Sequence, residues 1–284
     1  MNNELAVLYA KRFIQRRDVK AVQFSNGGYS PDRELKHIGN HGPLGFQMDH
    51  LRAHLNGKAT YGHYLLDNDD NARLFAFDID LQKTGFYVPM TQWDGSQPEA
   101  DWEAAQSPVK LGDPLDRSDN TLREAWLDRA SPARPWLKYQ MGILARRFCR
   151  VIEEQTNLPC AAAYSGNKGI HVYGFTGPMN AADIREAALF VLDYMDEWEP
   201  IRGQHIFGHK IDNPLVGYQN YSVEVFPKQD SLDGKDLGNL MRLPLGRNLK
   251  SPDPTFFLDL KTAPGVMAPH ADPVALLESG NAFL

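Results

Sequence analysis

Apolar and polar positions follow one another in blocks that switch between helical and strand periods. In residues 4–20 the apolar Leu5, Leu8, Tyr9, Phe13 and Ile14 recur near helical spacing, which predicts an amphipathic helix with a basic outer face. Ala21-Val22-Gln23-Phe24 reads as a strand, and Ser25-Asn26-Gly27-Gly28-Tyr29-Ser30-Pro31 as a loop. Residues 46–56 form a short helix stopped by Gly57, and Tyr61 to Leu66 a further strand. Asp67 to Asn71 is a turn feeding the apolar strand Arg73-Leu74-Phe75-Ala76-Phe77-Asp78-Ile79-Asp80. The strongest helix covers 136–156, where Leu137, Met141, Leu144, Ala145, Phe148, Val151 and Ile152 share a face and Cys149 packs beside it. Pro159–Tyr164 and Ile170–Phe175 are strands on either side of Ser165-Gly166-Asn167-Lys168-Gly169. Asn180 caps a helix running to about Trp198, Ser222–Phe226 is a strand, and Phe256–Leu258 with a helix at Val274–Leu277 closes the chain.

Residues 83–136 break the pattern. They are rich in Pro, Trp, Asp and Glu, with one helix near Leu122–Leu127, and read as an insertion across the surface, a lid or a partner surface. Trp93, Trp102, Trp126 and Trp136 predict that part of it packs. The expected organisation is one mixed α/β (α+β) domain over 1–284: an N-terminal αβ part at 1–72, the insertion at 83–136, an antiparallel-sheet part at 137–260 and a tail at 261–284.

Composition narrows the functional classes. The 284 residues are 42% hydrophobic and 23% charged, ordinary for a globular protein with a sizeable core. No run of about 18 apolar residues occurs, so no membrane span is expected, and the first residues lack the features of a signal peptide. Only Cys149 and Cys160 are present, which points to a reducing compartment, most simply a cytoplasm. A net charge of −6 argues against a protein that coats nucleic acid, while leaving room for a local basic groove.

Three stretches carry chemistry. Asp78 and Asp80 lie two apart on a strand, so both carboxylates project from one side. Like charges there call for a proton or a cation, and hard oxygen ligands suit magnesium or manganese. The plainer reading is a strand end with Asp78 capping a turn and Asp80 in water. The second stretch, Ser165-Gly-Asn-Lys-Gly-Ile-His171, is a glycine-punctuated hairpin whose backbone can close on a ligand, with a hydroxyl, an ammonium and an imidazole around the opening. Those groups suit a polyphosphate; an ordinary hairpin with a solvated Lys168 is the alternative. In the third, Glu224 sits between bulky apolar residues of Val223-Glu-Val-Phe-Pro227, and Asn239 and Arg242 follow in Gly238-Asn-Leu-Met-Arg-Leu-Pro-Leu245. Glu224 on the solvent face of an edge strand is its plain reading; the Arg242 fork suits phosphate oxygens.

The order of these motifs resembles the archaeo-eukaryotic primase superfamily, within it the prokaryotic and phage-type primase-polymerases. Tyr9…Phe13…Arg16-x-Asp18-Val19, Gly28-Tyr29-Ser30-Pro31 and His54-Leu55-Asn56-Gly57 resemble the lead-in of that group, so the likeness spans most of 9–260 outside 83–136. The resemblance implies a catalytic core with a half like an RNA-recognition motif and an N-terminal αβ half around a cleft. It implies metal carboxylates at Asp78, Asp80 and Glu224, with Glu224 where many members carry Asp. Ser165, Asn167, Lys168 and His171 would hold the nucleotide, joined by Arg242, Asn239 and Lys228. Two magnesium or manganese ions, roughly 3.5–4 Å apart, would serve the transfer. Zinc is not expected: classical primases carry a cysteine/histidine module, two cysteines cannot build a three- or four-cysteine site, and in the alternative mixed set of Cys149, Cys160, His205 and His209 the two cysteines are not spaced like a zinc knuckle.

The activity implied is template-dependent nucleotidyl transfer from (d)NTPs that starts and extends primers on single-stranded DNA, with a helicase domain or replication protein as a possible partner. Arg12, Arg16, Arg17 and Lys20 are the candidates for the nucleic-acid groove. Three alternatives stand beside it: a primer-dependent gap-filling or translesion polymerase, a non-catalytic nucleotide- or nucleic-acid-binding module, and a metal-dependent nuclease. The complete set of carboxylates speaks against the second, the phosphate-gripping loop against the third.

Overall fold

The computed structural model describes residues 3–33, 46–81, 126–131, 133–210, 221–251 and 253–283. In chain order its elements are α1 (Asn3–Phe13), β1 (Lys20–Gln23), β2 (Tyr29–Asp32), α2 (Met48–Leu55), β3 (Tyr61–Tyr64) and β4 (Asn71–Leu81). Then come α3 (Ala133–Val151, continued by a π-turn at Ile152–Thr156), β5 (Cys160–Tyr164), β6 (Gly169–Asn180) and α4 (Ala181–Met195). The last are β7 (Trp198–Arg202), β8 (Ile206–His209), β9 (Tyr221–Phe226), β10 (Leu240–Arg242), β11 (Phe256–Phe257) and α5 (Pro273–Ser279). The expectations for residues 83–125, Trp93 and Trp102 among them, lie outside the described residues.

The strands form two antiparallel sheets, one of four in the order β10-β3-β1-β2 and one of seven in the order β11-β5-β6-β4-β9-β8-β7. β4 lies near the centre of the larger sheet because its Leu74–Phe77 run is apolar on both faces and all four residues are fully buried. Phe77 packs on Phe148 of α3 with ring centroids 4.8 Å apart, so odd-numbered positions of β4 face the helices. The even positions, Ala76, Asp78 and Asp80, face the other way. There Phe13 of α1 meets Tyr173 and Phe175 edge-on, at 5.0 and 5.3 Å. The order β4-α3-β5-β6-α4-β9 with pairing β5-β6-β4-β9 is a split βαβ arrangement, to which the β7–β8 hairpin and β11 are added at the edges.

Several elements differ from the expectation. The first helix ends at Phe13 rather than near residue 20, because Arg16 turns inward to chelate Asp18 and the chain must redirect into β1. Of the expected Ser25–Pro31 loop, Ser25–Gly28 is a turn, but Tyr29–Pro31 begin β2, which pairs with β1 from Gln23↔Tyr29 to Lys20↔Asp32. As an edge strand it tolerates Pro31, which has no N–H to offer. The expected division of the chain is also interleaved: β4 joins the larger sheet, whereas β10 crosses to pair with β3 in the smaller one. The Asn180 cap is present, its side chain accepting from Ala182 N. No helix among the described residues is long and apolar enough to cross a membrane.

Candidate active site

Strand register assembles the site. Asp78 of β4 is flanked by His171 of β6 on one side and Glu224 of β9 on the other, in direct cross-strand register. Directly opposed residues share a face with Cβ atoms about 4.5–5.5 Å apart. Asp80, two residues on, is flanked by Gly169 and Ser222. Side chains remote in sequence thus stand in one short row on the sheet face that looks away from α3 and α4.

The electrostatics of that row are under tension. Removal from water, and then the charges of Asp80 and Glu224, hold the Asp78 carboxyl well above the usual carboxylate range; Arg242 and Lys168 pull the other way. Each acid has a cationic or polar neighbour: Lys168 Nζ lies 2.5 Å from Asp80 Oδ2, Lys228 Nζ 2.5 Å from Glu224 Oε1, and His171 Nε2 3.4 Å from Asp78 Oδ1. Burial, and then the nearby Arg242, push the His171 imidazole well below its ordinary value, so the ring is neutral. Among the described residues no three His, Cys, Asp or Glu side chains are arranged as a ready metal cage. Lys168 and Lys228 instead pair with Asp80 and Glu224. The donor set nonetheless fits a hard divalent cation, since it offers carboxylate oxygens alone and its central acid resists ionising without one. Cys149 and Cys160 are buried free thiols.

The Ser165–Gly169 turn closes the row at one end. Ser165 N donates to Gly169 O at 3.0 Å, and Gly166 takes a φ of 73° to make the reversal. Gly169 leaves room for Asp80: a Cβ there would lie 2.3 Å from Asp80 Oδ1 and equally close to the Ile79 carbonyl. Lys168 also donates to Leu81 O at 3.0 Å, so its ammonium sits over the end of β4. Asn167 contributes its carbonyl inward, accepting from Trp126 Nε1 at 2.6 Å and from the Tyr164 hydroxyl at 2.7 Å. Ser165 is buried, and its carbonyl accepts from Arg242 Nη2 at 2.6 Å and Asn248 Nδ2 at 3.1 Å. Arg242 therefore ties the smaller sheet to the turn. Its other nitrogen, Nη1, is buried with no partner, an arrangement that an anionic oxygen would relieve. Asn239 Oδ1 accepts from Lys228 N at 2.8 Å and so orders the residue that reaches Glu224.

The basic N-terminal residues are placed differently. Arg16 and Lys20 are buried, Arg16 on Asp18 and the Asp236 carbonyl, Lys20 on Asp32 at 2.9 Å. Arg12 donates to the Leu277 and Glu278 carbonyls and covers the Phe175 ring. These three hold the fold together, and only Arg17 of the set is exposed. Their neutralising partners come from later parts of the chain or from beside them, which a helical wheel does not display.

Residues 4–281 match the family model described as "TOTE conflict system, Archaeo-Eukaryotic Primase domain". The chain belongs to this family. Among solved structures this primase-family chain is similar to the polymerase domain from Mycobacterium tuberculosis Ligase D in complex with DNA, at 11% identity over 78% of this chain and 72% of that one, with a TM-score of 0.32. No curated protein matches it.

Membership in the archaeo-eukaryotic primase family brings with it nucleotidyl transfer as the family's chemistry. The sequence motifs leave out several side chains that border this candidate site, and of these Trp126 was expected only to pack. Trp126 lies at the end of a stretch with no clear period, Asn248 in a loop without a motif, and Tyr173 looks like one more apolar strand residue. Ser222 gains its place only through the Asp80 register.

Proposed function

We propose that the chain is a template-dependent nucleotidyltransferase that initiates and extends primers on single-stranded DNA. The observation that carries this reading is the cross-strand row of Asp78 and Glu224, with Asp80 beside them, facing a turn that carries Lys168 and is braced by Arg242. The βαββαβ half of the larger sheet serves as the RNA-recognition-motif-like platform, and the four-stranded sheet supplies Arg242 from across the cleft.

Asp78, Asp80 and Glu224 would hold magnesium or manganese, which when bound activates a 3′-hydroxyl and neutralises charge on the departing pyrophosphate. Lys168 and Lys228 would release the carboxylates to the cations and turn their ammonium groups to phosphate oxygens. Arg242 would use its free Nη1 on the triphosphate while Nη2 stays on Ser165. His171, being neutral, offers a directed donor or acceptor without adding charge. Chemistry of this kind is mostly positioning and electrostatics, so each of these contacts acts by holding an oxygen in place.

The test is incubation of the protein with single-stranded DNA, Mn²⁺ or Mg²⁺ and labelled nucleotides, with no primer. Short new products that disappear in an Asp78→Ala/Asp80→Ala variant support the reading. Extension only of a supplied primer supports gap filling instead, and shortening of the input DNA supports a nuclease.

A further inference from the structure

Tyr173 belongs to none of the motifs, yet it touches the centre of the site. It pairs with Ala76 while His171 pairs with Asp78, so its side chain lies on the same sheet face as the acids. Its hydroxyl is 2.9 Å from His171 Nδ1, and the opposite ring nitrogen, Nε2, is 3.4 Å from Asp78 Oδ1. We propose that Tyr173 is a positioning residue that locks His171 as its Nε2–H tautomer, so that the imidazole presents a hydrogen-bond donor to anionic oxygens in the cleft.

A neutral imidazole has one N–H and one lone pair, and its neighbours decide which nitrogen has which. Among the described residues His171 is the single hydrogen-bond partner of the Tyr173 hydroxyl. If Nδ1 carried the proton, the fully buried tyrosine O–H would have no acceptor, at the full desolvation cost of that group. With the hydroxyl donating to Nδ1, that cost vanishes. Packing fixes the tyrosine in this role: its ring meets Phe13 edge-on at 5.0 Å and stacks on Phe175 at 6.3 Å. Sheet geometry fixes the histidine, whose ring stands at 85° to that of Tyr173. The functional consequence, a donor aimed at substrate phosphate, rests on the nucleotidyltransferase reading; the tautomer itself does not.

The experiment records imidazole ¹⁵N spectra of the full chain, wild type and Tyr173→Phe, without nucleotide. It then measures nucleotide KM and kcat for both, and for His171→Gln with and without Tyr173→Phe. The wild type is expected to show protonated Nε2 alone, and Tyr173→Phe a mixture of tautomers. KM should rise roughly five- to tenfold in Tyr173→Phe, the worth of one hydrogen bond, with a smaller change in kcat. In the His171→Gln background, where an amide donor needs no tautomer control, Tyr173→Phe should add nothing further. Protonated Nδ1 in the wild type, or an unchanged tautomer in Tyr173→Phe, overturns the proposal. A protein with no nucleotide turnover would defeat the functional reading, and the spectra would still decide the tautomer.

Discussion

Asp78 of β4 and Glu224 of β9 are directly opposed across a strand pair, on the face of the larger sheet that looks away from α3 and α4. Opposed like charges on a partly enclosed face destabilise the fold, and the raised Asp78 carboxyl registers that conflict. The site is therefore built at the expense of stability. An acid whose folded pKa lies above its unfolded value loses stability as pH rises from about 4 through the folded pKa. Asp78→Asn removes the charge and keeps the shape. It should raise the unfolding free energy at pH 8 by on the order of 1 kcal/mol, while lowering nucleotide transfer by orders of magnitude. Thermal melts in chelator beside transfer assays would check this; an Asn variant less stable than wild type at pH 8 would sink it.

The same opposition predicts a response to metal. Millimolar Mn²⁺ or Mg²⁺ should raise the melting temperature of the wild type, because a cation between the acids binds the folded state alone. Asp78→Asn/Asp80→Asn should show little or none of that rise. Equal shifts in both proteins would place the stabilising ions elsewhere on the acidic surface.

How much of this was legible before the structure depends on which residues carry periodic information. Asp78 and Asp80 announce a shared face through strand period alone, and the apolar run before them announces a central strand. Their meeting with Glu224 and His171 is a matter of register, set by pairings across some 90 to 150 residues that no local pattern encodes. The family likeness supplied that link. Arg16 and Lys20 show the opposite failure: their charge reads as exposure, but Asp18, Asp236 and Asp32 neutralise them inside the fold. The β7–β8 hairpin went unread because Glu199 and Pro200 interrupt any apolar alternation.

Two buried histidines make the fold acid-sensitive. Burial drives His54 down to about 4, with Arg242 adding to it and the Pro244 carbonyl opposing. Burial likewise drives His63 down to about 3, against a raising influence of the Phe13 backbone, and neither of its ring nitrogens has a well-formed hydrogen bond. Unfolded histidine titrates near 6.5, so the unfolded chain takes up protons first. Stability is then intact above about pH 6.5 and falls as pH drops toward 4 and 3, by up to about 3 kcal/mol for His54 and about 5 kcal/mol for His63. Urea midpoints from pH 8 to 5 would trace this loss. His63→Leu should make the acid limb shallower, and an unchanged slope would refute the assignment.

Trp126 couples the segment before α3 to the Ser165–Gly169 turn. Its indole N–H donates to Asn167 O at 2.6 Å, the Arg134 guanidinium covers its ring at 4.6 Å, and Arg129 and Arg134 both reach Asp253. Trp126→Phe retains most of the packing and loses the hydrogen bond. It should cost about 1 kcal/mol of stability and raise nucleotide KM a few-fold, whereas Trp126→Ala should cost about 3 kcal/mol or more. Denaturant titration and steady-state kinetics on both variants check the pair. A Phe variant with wild-type KM would show that the turn holds its shape without the indole.

Gly169 offers the most direct test that Asp80 and the turn act as one unit. It stands opposite Asp80 in the β4–β6 pairing, and an added methyl would press on both the Asp80 carboxylate and the Ile79 carbonyl at 2.3 Å. A side chain can rotate away, but a strand carbonyl cannot, so Gly169→Ala must push β4 and β6 apart where Lys168 meets Asp80. Overpacking of this sort costs about 1–3 kcal/mol, which a domain of ordinary stability survives. The variant should therefore remain folded at low temperature by circular dichroism and yet lose most nucleotide transfer, because Asp80 and Lys168 are displaced together. Near wild-type transfer by a folded Gly169→Ala protein would mean that the spacing between Asp80 and the turn is not what the reaction depends on.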